Sequence, residues 1–192
     1  MAEIKSALEI ALEKADRIGR ATPQEMAETQ MREEARYLAG DFMREKVDLT
    51  EALQKISAES RPIMVAAVKE VLLRNINLPR EGIVDESNQR AQAGMLQVAR
   101  DKKTMQRLLQ ELAQVFASYA QVRNNARQQL KANMGAQMGG ARRAMEAQMQ
   151  RKLDLEIENM PQFLEEWRKF EAQLLKQFEP LVEKHKAQMA TL

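Results

Sequence analysis

Met105–Leu130 reads MQRLLQELAQVFASYAQVRNNARQQL. Met105, Leu109, Leu112, Phe116, Tyr119, Ala126 and Leu130 recur at alternating spacings of four and three, and Arg123 takes the one remaining place on the stripe. A mean spacing of 3.5 keeps a narrow apolar face of one helix turned toward a partner helix, as in a coiled coil. From about Arg142 a second stripe keeps the same register through Leu153, Ile157, Met160, Leu164, Trp167, Leu174, Phe178 and Leu181, with Glu171 and His185 as polar interruptions. Two such stripes in tandem predict a long antiparallel helical hairpin. Arms of about 45 residues reach roughly 65 Å at the helical rise.

Between the stripes, NMGAQMGGA carries Gly135, Gly139 and Gly140. Each glycine disfavours a helix interior by about 1 kcal/mol relative to alanine. The hairpin turn is therefore expected at the Gly/Met-rich segment near 133–141. Pro161 and Pro180 fall inside the second arm and predict a kink or a restart, because proline removes an amide donor and clashes with the preceding turn.

Outward toward the N-terminus the signals shorten. Ile4, Leu8, Ala11, Ala15 and Ile18 mark an amphipathic helix that Gly19 ends. Thr22-Pro23-Gln24-Glu25 offers a capping hydroxyl, a proline at the first helical position and a reciprocal glutamate, opening a helix to about Arg44. Asp48-Leu49-Thr50-Glu51 opens a short helix through Ile56, and Ser60-Arg61-Pro62 opens another that ends near Asn75. Asn77–Gly82 is a break. The expected organisation is an all-α chain: a small helical bundle over residues 1–80, then a coiled-coil-like hairpin over 83–192.

Composition agrees with that class. Of 192 residues 44% are hydrophobic and 30% charged, with 7 Gly and 5 Pro, so a core is accessible and strands have few candidates. Net charge is +2, which gives no global case for nucleic acid or membrane binding. Its distribution is uneven: −1 over residues 1–80, +6 over 81–152 and −3 over 153–192. The chain has no cysteine, which removes disulfides, thiolate metal sites and cysteine nucleophiles and suits a reducing, cytoplasmic location. The N-terminal segment lacks the pattern of a signal peptide, and the most apolar run, Pro62–Val68, is too short to span a bilayer.

Few chemistries find their residues. His185 is the one histidine, and neither Glu-x-x-His nor His-Glu-x-x-His occurs, so no metal site and no cofactor is expected. The carboxylates mostly lie as i,i+4 surface charges on helix faces, and none stands out as a catalytic acid or base. Gly-Gly-Ala-Arg-Arg at 139–143 lacks the preceding strand and the spacing of a phosphate loop.

One region departs from a solvated scaffold: no acid occurs between Glu111 and Glu146. Arg123, Arg127, Lys131, Arg142 and Arg143 lie there, with Met134, Met138 and Met145 around the glycines. Flexible methionines adapt to varied apolar partners. The reading is a non-enzymatic interaction protein, an adaptor, scaffold or assembly factor. It would bind a partner protein, or self-associate, through its seams and this basic tip. The alternative is a nucleic-acid-associated factor using the same cations, although the aromatic residues that usually stack on bases are missing. Those cations have a bland reading too, as partners of acids on the other arm such as Asp154, Glu156 and Glu158.

Overall fold

In the computed structural model, residues 22–79, 86–149 and 156–192 are described, with side chains of 140–149 left aside. All regular structure among them is helical. The order is α1 (Pro23–Met43), α2 (Leu49–Gln54), α3 (Arg61–Arg74), α4 (Glu86–Val98), α5 (Lys102–Met149), a 3-10 turn at Ile157–Asn159, and α6 (Pro161–Ala190). The helix expected over residues 3–18 lies outside the described residues.

The chain divides into two compact units, Met1–Val71 and Leu72–Leu192. In the first unit local sequence sets the helix starts. Thr22 Oγ1 accepts from the Glu25 amide at 3.2 Å while the Thr22 amide donates to Glu25 Oε2 at 2.7 Å. Asp48 Oδ1 accepts from the amides of Thr50 and Glu51, 2.8 and 3.1 Å away. Such caps satisfy donors that the first helical turn leaves orphaned. α1 buries Ala35, Ala39 and Phe42, α2 buries Leu49 and Leu53, and α3 contributes Met64, Ala67 and Val68. Arg32 of α1 reaches Glu70 of α3 at 3.6 Å, an exposed pair of small energetic weight.

The second unit is the hairpin with α4 at its base. α4 and α5 are separate helices within the segment expected to be the hairpin, 83–192. Asp101 interrupts them: its carboxylate accepts from the Thr104 amide at 3.0 Å and the Thr104 hydroxyl at 2.6 Å, capping α5. Those two bonds also hold the Asp101 carboxyl below its ordinary pKa. At the same joint the Arg100 amide donates to the Leu192 carbonyl at 3.0 Å, fastening the end of α6 to the start of α5. Asn88, 5% exposed, donates to the Asn77 carbonyl at 2.5 Å and accepts from Gln92 at 2.8 Å, tying α4 to the segment before it.

α5 and α6 pack together as an antiparallel pair. Glu111 lies near His185, Tyr119 meets Phe178, Arg123 meets Glu171, and Arg127 meets Glu158. Leu112, Tyr119 and Arg123 are buried where the 3.5-residue stripe put them, and Phe116, Ala126 and Leu130 are half-buried. On α6, Trp167 and Leu174 are buried where the stripe put them and Phe178 is half-buried, but the ends of the stripe shift by one residue. Phe163 and Val182 are buried, while Leu164 and Leu181 are 40% and 44% exposed. The shift runs backward at Phe163 and forward at Val182, as a straight helix of about 3.6 residues per turn drifts against a 3.5-residue repeat. α6 itself begins at Pro161, after Met160 in extended conformation (φ −73°, ψ 137°). Pro180 sits within α6.

The largest correction concerns the turn. α5 continues as helix through Gly135, Gly139 and Gly140 to Met149, so residues 133–141 are not the hairpin turn and 142–149 belong to the first arm. Packing accounts for one of these glycines. A Cβ on Gly135 would stand 3.1 Å from Ile157 Cδ1, so the missing side chain lets the 3-10 turn approach α5 closely. Nothing stands within 4 Å of a Cβ at Gly139. The cost of three glycines is spread over a 48-residue helix rich in strong helix formers.

Two stability measurements check this geometry. Gly139→Ala should stabilise by about 1 kcal/mol, since helical backbone accepts a Cβ and alanine favours it. Gly135→Ala should gain less, because Ile157 must shift. A turn with positive φ at these positions would reverse both signs in urea unfolding. Leu112→Ala should cost about 2–5 kcal/mol as a fully buried deletion, whereas Leu164→Ala and Leu181→Ala should stay within about 0.5 kcal/mol.

Candidate functional site

Three of the five cations singled out from sequence, Arg123, Arg127 and Lys131, fall one turn apart on one face of α5. Arg123 is 6% exposed, and its Nε and Nη2 donate to Glu171 Oε1 at 2.9 and 2.6 Å. Both bonds use the same carboxylate oxygen. Arg127 Nη2 donates to Glu158 Oε2 at 3.1 Å, and Lys131 Nζ lies 3.1 Å from Glu158 Oε1. Two carboxylates of the other arm thus receive three cations of α5. The acids foreseen there included Glu158, which takes this role; Asp154 lies outside the described residues.

Trp167 holds the ladder from the side. The Arg123 and Arg127 guanidinium carbons stand 5.3 and 5.8 Å from its ring centroid. Phe163 and Phe170 stack on either side of it along α6, at 6.5 and 5.6 Å with interplanar angles of 17° and 23°. A cation against an indole face contributes from about 0.5 kcal/mol when exposed to about 2 kcal/mol when desolvated. The planar guanidinium suits both contacts at once, stacking on the ring while its N–H fork meets the carboxylate.

Electrostatics follow the geometry. The Lys131 hydrogen bond, followed by the charges of Arg127 and Lys131, holds the Glu158 carboxyl below its ordinary value of 4.5 against a weaker opposing effect of burial. At the other end of the seam, His185 Nδ1 lies 3.9 Å from Glu111 Oε2, buried and without a hydrogen bond among the described residues. The three polar interruptions expected to set register therefore have defined surroundings: two face each other and the third faces Glu111.

The remaining tip residues lie further along α5. Met134 and Met138 are half-buried. Arg142, Arg143 and Met145 are on the helical backbone of α5, but their side chains lie outside the described residues. Among the described residues, no group of three or more His, Cys, Asp or Glu side chains converges to hold a metal ion. None of the described helices is long and apolar enough to cross a membrane.

The profile described as "Family of unknown function (DUF6657)" matches residues 50–191, from α2 to the end of α6. The chain belongs to that family. The match takes in the whole of the hairpin and leaves α1 outside. No curated protein and no solved structure matches the chain.

Sequence reading offered Glu158 as a partner of the basic face but did not pair Arg123 with Glu171, although a signal was present. Arg123 and Glu171 are opposite charges at interruptions of two facing stripes, and they are each other's natural partners in an antiparallel seam.

Glu171→Gln should cost more than the roughly 1 kcal/mol of an exposed pair and less than the 3–5 kcal/mol of a fully buried one, because Glu171 is 29% exposed. Replacing both residues by leucine should recover much of the loss, which a double-mutant cycle in urea reads directly. Acid dependence gives a second check. The Glu158 carboxyl titrates lower folded than unfolded, so its contribution is full above 4.5 and fades as pH falls through the lowered folded value. Glu158→Gln should flatten that part of the stability–pH curve.

Proposed function

We propose that this chain is a non-enzymatic helical interaction protein, an adaptor, scaffold or assembly factor, that binds a partner protein along the outer part of α5. The observation that carries the reading is the unequal length of the two packed helices. α5 has 48 residues and α6 has 30. Ile157 already meets α5 at Gly135, and from there α6 runs back toward the base, while α5 continues to Met149. That continuation bears Met138, Arg142, Arg143 and Met145, adaptable apolar residues with two cations.

The same geometry weighs against the nucleic-acid alternative. Arg123, Arg127 and Lys131 spend their charge on Glu171 and Glu158, which leaves Arg142 and Arg143 as the cations of that reading. A cytoplasmic location is part of the proposal, supported by the cysteine-free composition.

A tagged pull-down from native extract, with and without nuclease, tests it. The wild type should retain a stoichiometric protein partner after nuclease treatment. Met138→Glu with Met145→Glu should reduce its recovery at least about tenfold, equivalent to 1.4 kcal/mol, with far-UV helicity unchanged. Undiminished recovery removes the α5 assignment. Recovery of nucleic acid that depends on Arg142 and Arg143, and falls steeply with salt, would put the second reading in its place.

A further inference from the structure

Within the second unit, the segment after α3 and the facing sides of α5 and α6 enclose a cleft of about 670 Å³. Sites of this size accommodate a small ligand or a short stretch of peptide. Leu78, Leu175 and Val182 form its apolar wall. Among the described residues its charged lining comprises Glu171, Glu179 and Glu183 against Arg123 and Lys186, which leaves one negative charge in excess there.

Most of that charge is already paired. Arg123 lies 2.6 Å from Glu171 Oε1, and Lys186 lies 2.8 Å from Glu183. Glu179 is different: among the described residues it makes neither an ion pair nor a hydrogen bond. Glu171 keeps Oε2 unused, since both arginine bonds go to Oε1.

A second observation comes from Tyr119. The residue is 4% exposed and lines the cleft, yet among the described residues nothing hydrogen-bonds its hydroxyl. Its ring is held edge-on against Phe178, with centroids 5.4 Å apart. The hydroxyl is not among the fully buried polar atoms left without a partner, so it keeps solvent access while the ring is buried. Burial raises its pKa; Arg123 opposes that shift, and Glu171 and Glu179 add to it, so the phenol stays neutral. Its oxygen is available to accept a hydrogen bond.

We propose that the cleft receives a lysine side chain of a protein partner, with the ammonium among Glu179, Glu171 Oε2 and the Tyr119 hydroxyl and the aliphatic stem along Leu175 and Val182. An ammonium has three donors and no acceptor, which matches three acceptor groups and one uncompensated charge. The volume exceeds one side chain and leaves room for the apolar residues that flank the lysine. The inference rests on the reading of the chain as a partner-binding protein and adds a second contact to it.

The test uses the full-length protein with ring-labelled tyrosine. There are two tyrosines, and Tyr37, 74% exposed on α1, serves as the internal reference. The probe is acetyl-leucyl-lysyl-leucinamide, compared with its norleucine and arginine counterparts and with free pentylamine. The lysine peptide should shift the Tyr119 signal saturably, with a Kd of about 1 mM as befits a single anchored side chain, and leave Tyr37 in place. Glu179→Gln should weaken binding at least tenfold without lowering Tm, because Glu179 has no ion-pair or hydrogen-bond partner among the described residues to lose. An unmoved Tyr119, an equal response to norleucine or arginine, or undiminished binding in Glu179→Gln overturns the proposal. Pentylamine binding as tightly as the peptide overturns the assignment to a protein side chain and makes the ligand a small amine. A protein partner that is recovered from extract and ignores Glu179→Gln sinks the cleft alone. A lysine peptide that binds when no protein partner is recovered sinks the broader reading alone.

Discussion

The ion pair between Arg123 and Glu171 constrains the hairpin more sharply than any apolar contact in it. Leucine against leucine tolerates sliding, because one buried methyl resembles another. A guanidinium that is 6% exposed has no such freedom: moving α5 by one turn relative to α6 would strand it without its carboxylate, which costs several kcal/mol for a buried charge. The pair therefore selects one register among those the apolar stripes permit, the role best attested for polar residues in helical seams. Trp167, Arg127 and Glu158 reinforce the same choice from the adjoining turns.

Much of this architecture could be read from the chain, and the failures have local causes. Helix starts at Thr22 and Asp48 were legible because a cap is a short-range event, settled by a side chain and an amide three residues away. The α5 stripe was legible because no break interrupts it. The α6 stripe held at Trp167 and Leu174 and missed by one residue at Leu164 and Leu181, because a strict 3.5-residue repeat drifts away from the face of a straight helix toward both ends. Asp101 was overlooked as a cap, although Asp-Lys-Lys-Thr carries the signal.

The glycines misled for another reason. Propensity counts the cost of each residue in isolation and cannot see what a missing Cβ permits. At Gly135 it permits the close approach of Ile157, a contact between residues far apart in sequence. The basic face of α5 is the same problem in electrostatic form. Composition registered the absence of acids between Glu111 and Glu146, but the compensating acids sit on the opposite arm, and the fold brings Glu158 and Glu171 to the cations.

Trp167 is the chain's one tryptophan, and it lies between two phenylalanines with two arginines over its ring. The intrinsic fluorescence of the molecule is consequently a private signal of the hairpin. Nearby cations and the exclusion of water both tune indole emission, so separation of the arms at this level shifts its colour. The protein carries its own reporter for opening of the seam.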